Sequence, residues 1–181
     1  MDDPDYIVIG AGSAGCVVAN RLVEAGNSVL LLEAGRKPHR WDYRIHMPAA
    51  LSDVLAGDAY NWYYRTDPEP WMDHRLMYCP RGRALGGSSS INGMIYVRGN
   101  PEDFNRWARQ TGYPEWDYEG CLPWFMKAES AVAGTYDCRG REGPLHVTRG
   151  ELRNPLFRAF IEAGVEAGYP ANDDLNGPVQ E

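Results

Sequence analysis

The sequence predicts an α/β fold organised around a parallel β-strand–helix–β-strand unit, on three observations. A short apolar run, Tyr6-Ile7-Val8-Ile9, stands near the start of the chain. A glycine-rich turn, Gly10 to Gly15, leads into a stretch with helical apolar spacing. A second apolar run, Val29-Leu30-Leu31-Leu32, follows. Short apolar runs without alternation suit strands buried on both faces. Strands joined through a helix run parallel in one sheet.

The elements follow in order. Val18, Leu22 and Ala25 lie on one face of a helix from Ala14 to Ala25, and Gly26 is its stop. Residues 36 to 99 are rich in Pro, Gly, Trp and Tyr and read mostly as loops, with a helical turn around Pro48 to Leu55 and a strand near Trp62-Tyr63-Tyr64. Asn100-Pro101-Glu102-Asp103 is a helix start: Asn caps, Pro suits the first position, and acids suit the positive end. Phe104, Trp107 and Ala108 give that helix an apolar face. A further helix is expected from Leu122 to Ser130, with Pro123 near its start, and a strand over Pro144 to Thr148. Asn154-Pro155 opens a last helix that ends at Gly168, with Leu156, Phe157, Phe160, Ile161 and Val165 expected on its buried side.

Composition narrows the function classes. The chain has 181 residues and a formal net charge of −7, which argues against nucleic acid as the main partner. No apolar run approaches a membrane span. The acidic start, Met1-Asp2-Asp3-Pro4-Asp5, lacks the basic segment of a secretory signal. The expected location is therefore the cytoplasm, with peripheral contact to the inner membrane left open. Cys16, Cys79, Cys121 and Cys138 show neither C-x-x-C nor zinc-like spacing and are read as reduced thiols with structural or neutral roles.

Gly10-x-Gly12-x-x-Gly15 between strand and helix is a dinucleotide fingerprint in the Rossmann-like pattern. The first glycine permits the turn, the second lets the backbone approach a pyrophosphate, and the third lets helix and strand pack closely. The helix amino terminus offers N–H groups and a positive dipole end to phosphate. In a chain with 20 glycines the pattern alone is weak. Its context, with Glu33 at the end of the second strand, makes it specific. That carboxylate is placed to accept from ribose hydroxyls and would repel a 2′-phosphate. The unit cannot distinguish NAD from FAD, since both present an ADP moiety.

A second motif runs from Gly82 through Leu85-Gly86-Gly87-Ser88-Ser89-Ser90-Ile91-Asn92-Gly93. Adjacent glycines followed by serines let a backbone pass close to a flat ligand and expose N–H groups to its oxygens. Extended through Tyr96 and Gly99 to Asn105, this motif resembles the signature of the glucose–methanol–choline (GMC) oxidoreductases, and the resemblance covers essentially the whole chain. Met47-Pro48-Ala49-Ala50-Leu51, Tyr60-Asn61-Trp62, Glu69-Pro70 and Ile91-Asn92-Gly93-Met94 are similar to the family's bacterial choline-oxidising branch.

The resemblance implies roles. Gly10, Gly12, Ser13, Ala14 and Gly15 would hold the FAD pyrophosphate, and Glu33 and Ala34 the adenosine end. Leu85, Gly86, Gly87, Ser88 and Ser89, with Asn92, Gly93, Met94 and Ile95, would line the isoalloxazine, with Trp62 packed nearby. In one branch a His just before this Asn bonds covalently to the flavin; here Ile91 stands there, so FAD is expected to be non-covalent. The implied fold is a GMC-type α/β fold whose Rossmann-like sheet is completed by sequence not in this chain. Residues 1–35 would be the βαβ ADP-binding unit, 36–110 the flavin-loop region and 111–181 the start of the substrate domain. The implied reaction is oxidation of a primary alcohol, choline-like or general, to an aldehyde by hydride transfer to flavin, with oxygen or a quinone-like molecule as electron acceptor.

The family's catalytic His lies toward the carboxyl end. His39, His46, His74 and His146 do not match its motif, so no catalytic residue is assigned here, and no metal site. A second polypeptide carrying the C-terminal half with that His is expected. Tyr60, Trp62, Tyr63, Tyr64 and Trp71 form an aromatic-rich set that a quaternary ammonium would favour, although strand and loop packing explains them as well. Arg98 has no assignment. Competing readings are an NAD-linked dehydrogenase, a non-catalytic nucleotide- or partner-binding module, and a family photoenzyme acting on fatty acids.

Overall fold

The structure, a computed structural model, describes residues 3–134 and 137–180. The chain divides into two compact units between Ile95 and Tyr96.

The first unit is built on the expected βαβ element. β1 (Tyr6–Ile9) and β2 (Val29–Leu32) pair in parallel, Tyr6 opposite Val29 through Ile9 opposite Leu32, with α1 (Ser13–Glu24) between them. Asp5 fixes the entry to this pair. Its carboxylate accepts from the backbone N–H and the hydroxyl of Ser28 at 2.8 and 2.7 Å, and these bonds hold its pKa below the usual carboxylate value. After α1 the N–H groups of Gly26 and Asn27 return to the carbonyls of Val23 and Leu22, so the helix ends where the glycine stop predicts. The sheet has two strands among the described residues. On one face Ile7, Ile9, Leu30 and Leu32 are exposed, Ile9 at 85%, while Val8, Val29 and Leu31 on the other are half-buried.

The chain then forms α2 (Tyr43–His46), a short 3-10 turn at Pro48–Ala50, and α3 (Leu51–Ala56). This matches the helical turn expected over Pro48 to Leu55. β3 (Tyr64–Arg65) pairs antiparallel with β4 (Tyr78–Cys79). The strand expected near Trp62-Tyr63-Tyr64 thus starts two residues late. Tyr63 has φ +60°, which takes the chain out of extended geometry immediately before it. Val54, Tyr60, Ala84 and Ile91 form the buried core of this unit.

In the second unit, α4 (Pro101–Thr111) begins as the sequence predicts, with the Asn100 side chain accepting from the Glu102 N–H at 2.9 Å. Phe104 packs edge-on against Phe125 of α5 (Tyr118–Ala128), ring centroids 5.5 Å apart. α5 corrects an expectation. It starts four residues before Leu122, because Asp117 caps it through the Gly120 N–H at 2.7 Å, and Pro123 lies inside the helix rather than at its start. It also stops at Ala128, where Glu129 turns extended into β5 (Glu129–Ala131), parallel to β6 (Leu145–Val147).

Glu129 is the polar centre of this unit. Its buried carboxylate meets Arg98 at 2.7 Å, Arg139 at 2.9 Å and the Gly140 N–H at 3.0 Å. Arg139 also pairs with Asp174 at 2.5 Å. Arg98 is thereby assigned: its guanidinium lies over the Phe125 ring and donates to the Cys138 carbonyl at 2.7 Å. Its backbone N–H meets the buried Asn176 side chain at 2.7 Å.

α6 (Pro155–Glu166) is capped by Asn154 as expected. Its apolar stripe is not buried, contrary to the expectation from periodicity. Leu156, Phe157, Phe160, Ile161 and Val165 are all exposed, Phe160 at 82%. Helical spacing specifies which face is apolar, but not what packs on it. No helix among the described residues is long and apolar enough to cross a membrane.

Two substitutions separate the contributions here. Glu129→Ala leaves Arg98 as an unpaired buried charge and Arg139 with Asp174 as its remaining partner, an expected loss of about 3–5 kcal/mol. Asn154→Ala removes one helix cap, an expected loss of about 1 kcal/mol. Urea midpoints of the two variants should fall in that order.

Candidate cofactor site

The first glycine turn is held by backbone contacts. The Gly10 N–H donates to the Leu32 carbonyl at 2.7 Å, bringing the end of β1 onto β2. Gly12 is the N-cap of α1, and no side chain caps the helix or places an acid in its first turn. Ser13 and Ala14 are exposed there, with the positive end of the helix open in front of them. A Cβ on Gly15 would stand 1.8 Å from the Gly10 carbonyl oxygen, so this position takes only glycine in this packing.

Glu33 sits at the end of β2, as the fingerprint predicts, and its carboxylate is bound within the chain. One oxygen accepts from the Ala11 N–H at 2.7 Å and the other from the Gly35 N–H at 2.8 Å. Each oxygen keeps a further acceptor site. Ala34, beside it, is exposed.

The second glycine segment lies directly on the first. The Gly86 N–H donates to the Ala11 carbonyl at 2.7 Å. A Cβ on Gly87, which has φ +58°, would be 2.7 Å from Gly12 Cα. Upstream, Arg36 and Ala84 form a parallel bridge, and the Leu85 N–H reaches the Arg36 carbonyl at 3.3 Å. The serines close the segment on itself. Ser88 Oγ accepts from the Gly82 N–H at 3.0 Å, Ser89 Oγ donates to the Gly86 carbonyl at 2.6 Å, and Ser90 Oγ to Leu85 at 3.0 Å.

The structure thus brings Gly10 to Gly15, Glu33 and the Leu85 to Ser89 segment together. Beyond them, Asn92 accepts from the Met94 N–H at 2.9 Å in a tight turn. Asn92 and Met94, with Ser89 and Ser90, line one side of a cavity of about 150 Å³ whose other side is α2 and α3. Gly93, Met94 and Ile95 are exposed. Ile91 borders the same cavity and is buried in the core with Val54, Tyr60 and Ala84. Trp62 stacks on Tyr64 at 6.0 Å with Arg83 over its ring at 5.3 Å.

Of the aromatic-rich set only Tyr60 is buried, and Trp62, Tyr63, Tyr64 and Trp71 are exposed. Tyr60 is buried, with Arg36 and Arg44 on its ring and its hydroxyl donating to Asp42 at 2.7 Å. Burial, then the Asp42 bond, raises the Tyr60 pKa. The bond from Arg44, then that from Tyr60, holds Asp42 well below the usual carboxylate range. Tyr63 packs on Tyr78 at 4.8 Å, while Trp71 is 97% exposed. His39, His46, His74 and His146 are exposed and scattered, and only His46 borders the cavity. No group of side chains that could hold a metal ion occurs among the described residues.

Sequence reasoning missed Asn61 as anything more than part of a resemblance. It is buried and bonded on both ends of its amide. A polar residue between Tyr60 and Trp62 carries no sequence signal of burial.

Comparison with known proteins agrees with the geometry. A family model described as GMC oxidoreductase matches residues 4–181. The chain is 58% identical over 179 residues to the oxygen-dependent choline dehydrogenase of Pseudomonas aeruginosa (strain LESB58), covering 98% of this chain and 32% of that protein. It is 53% identical over 186 residues to the mitochondrial choline dehydrogenase of Mus musculus, covering 99% and 31%. Among solved structures, pyridoxine 4-oxidase from Mesorbium loti matches with a TM-score of 0.89 at 38% identity, over 96% of this chain and 34% of that one. An FAD-dependent oxidoreductase from Chaetomium thermophilum matches with a TM-score of 0.84 at 28% identity, over 96% and 31%. The chain spans about a third of the length of the curated relatives it matches.

Asp42 gives the first unit an acid-sensitive element. Its folded pKa is depressed, so its contribution is complete above the unfolded value, roughly pH 4, and is lost as pH falls through the folded value. The urea midpoint of Asp42→Asn should lie below wild type at neutral pH, and the gap should close on acidification.

Proposed function

Because the chain belongs to the GMC oxidoreductase family, we propose that it binds FAD non-covalently and forms the cofactor-holding part of an enzyme that oxidises a primary alcohol. The observation that carries this reading is the seating of Gly86-Gly87 on Ala11-Gly12 in front of an uncapped helix end. A side chain is excluded at Gly87 where the two backbones meet, and unpaired N–H groups of the first turn are available to a pyrophosphate. An ADP moiety suits such a cradle. The second segment gives it a reason to be longer than a nicotinamide enzyme needs.

In this reading Gly10, Gly12, Ser13, Ala14 and Gly15 hold the pyrophosphate. Glu33, already oriented by Ala11 and Gly35, accepts from the ribose hydroxyls through its remaining acceptor sites. Leu85 to Ser89, Asn92, Gly93, Met94 and Ile95 form the isoalloxazine side, with Trp62 beside them. The buried position of Ile91, which offers no nucleophile, supports non-covalent attachment. Bound there, FAD would supply a hydride acceptor for the carbinol carbon. The chain's own residues bind and orient it, and orientation of reacting groups is where proteins gain most of their advantage with such cofactors.

Similarity to proteins named choline dehydrogenases makes choline the leading substrate. Oxygen is favoured over a quinone as acceptor, since several of those relatives are named oxygen-dependent. The proton-accepting His of the reaction belongs, in this proposal, to polypeptide outside these 181 residues, in the same chain or a second one.

The test is to purify the protein, weigh its chains after unfolding, and extract its cofactor. A yellow sample that releases FAD on denaturation and reduces a dye with choline is the expected result. A colourless sample that binds no added FAD overturns the proposal. Glu33→Ala should weaken FAD about tenfold or more in a fluorescence titration, since the change removes a charged hydrogen-bonding partner.

A further inference from the structure

We propose that Asn61 is a positioning residue for the cofactor loop, acting through the backbone that leads into Gly86-Gly87. This rests on the FAD reading above. Asn61 is 1% exposed, and every polar atom of its side chain is engaged. Its Oδ1 accepts from the Tyr63 N–H and from the Arg81 N–H, both at 3.0 Å. Its Nδ2 donates to the Leu55 carbonyl at 3.2 Å and to the Tyr78 hydroxyl, which itself donates to Leu55.

One amide therefore joins three segments: the end of α3, the residues before β3, and the strand leaving β4. The join continues along the backbone. Asn61 and Gly82 form an antiparallel bridge, the Trp62 N–H donates to the Arg81 carbonyl at 2.8 Å, and the Arg83 N–H to the Tyr60 carbonyl at 2.8 Å. Gly82 is then held by Ser88 from within the loop itself, and a Cβ there would meet the Gly87 carbonyl oxygen at 2.1 Å. The height of Gly87 above Gly12 is thus set through Gly82, and Gly82 through the Oδ1 of Asn61. The same oxygen accepts from the N–H of Tyr63, the residue at φ +60° immediately before β3.

The accepting oxygen and the donating nitrogen have different jobs, and substitutions separate them. Asn61→Asp keeps the acceptor for Tyr63 and Arg81 and loses the donor to Leu55. Asn61→Leu keeps the branched heavy-atom shape and loses both. Thr66→Val is the control: it removes the acceptor for the Met77 N–H in the same hairpin, 3.1 Å away, without touching the lead-in. Each variant is made in the protein as purified and read in two ways: hydrogen exchange across residues 81–90, and the visible circular dichroism of bound FAD at saturation.

Asn61→Leu should speed exchange in 81–90 at least tenfold, alter the flavin dichroism and weaken FAD about tenfold. Asn61→Asp should keep the wild-type dichroism even where its thermal midpoint falls further than that of Asn61→Leu, because a buried carboxylate is costly to the fold. Thr66→Val should lower the midpoint and leave both readouts unchanged. The proposal is overturned if Asn61→Leu leaves loop exchange and dichroism as in wild type, or if Thr66→Val moves them equally. Failure of the unsubstituted protein to bind FAD overturns the cofactor reading instead, and loop exchange alone then decides the role of Asn61.

Discussion

The first unit depends on one backbone-to-backbone contact, that of Gly87 on Gly12. Two segments more than seventy residues apart in sequence meet there at a distance that leaves no room for a Cβ on Gly87. Around the contact the chain spends its polar groups on holding the approach. Gly86 bonds to Ala11, Glu33 to Ala11 and Gly35, and Ser88 to Gly82. These bonds join loops rather than regular elements, and the Gly86–Ala11 bond ties the second glycine segment to the mouth of the βαβ turn. A surface made of closely spaced backbone is a poor place for a protein to bury apolar side chains, and a good place to receive a phosphate-bearing ligand. The close approach is therefore read most economically as a cradle, and it is the physical basis of the proposed FAD site.

The glycines themselves were legible, because close approach has a local signature. The βαβ register was legible for the same reason: apolar runs, a stop glycine and a carboxylate at the strand end are all short-range signals. Asn100 and Asn154 also announced their helices, with Pro in the next position. What the sequence did not disclose shares a different property. The partners of Glu129 lie 31 residues before it and 10 residues after it, and those of Asn61 lie up to 20 residues away. No periodicity links such positions. Arg98 has no meaning beside Val97 and acquires one only when β5 brings Glu129 beneath it. The late start of β3 is a case of local geometry overriding propensity: Trp-Tyr-Tyr favours extended chain, but the acceptor supplied by Asn61 stabilises Tyr63 at positive φ.

The misread face of α6 has another origin. Periodicity identified the apolar stripe correctly, and the inference from apolar to buried was the step that failed. The same holds for one face of the β1–β2 pair, where Ile7, Ile9, Leu30 and Leu32 are apolar and exposed among the described residues. Apolar surface of this kind is unusual on a protein that acts alone. The curated relatives contain about three times this length, and the proposed enzyme requires polypeptide outside these residues for its proton-accepting His. Surface and chemistry thus make the same demand independently: the sheet and α6 need cover, and the bound flavin needs a base.

Ile91 connects the core to the mode of attachment. It occupies the position where a covalent link would be made, yet it is one of four residues that close the core with Val54, Tyr60 and Ala84. An imidazole there would have to displace an apolar contact or turn out of the core toward the loop. Without a covalent link, retention of FAD depends wholly on how well the site is formed before the ligand arrives, because any ordering of loops on binding is subtracted from affinity. That gives a reason for the density of fixed backbone around the glycines. Glu33 is oriented before a ribose reaches it, the serines have already folded the loop, and Asn61 has already set its approach. In the proposed function these residues stand in for a covalent bond: they hold the cofactor by lowering what it costs to bind it.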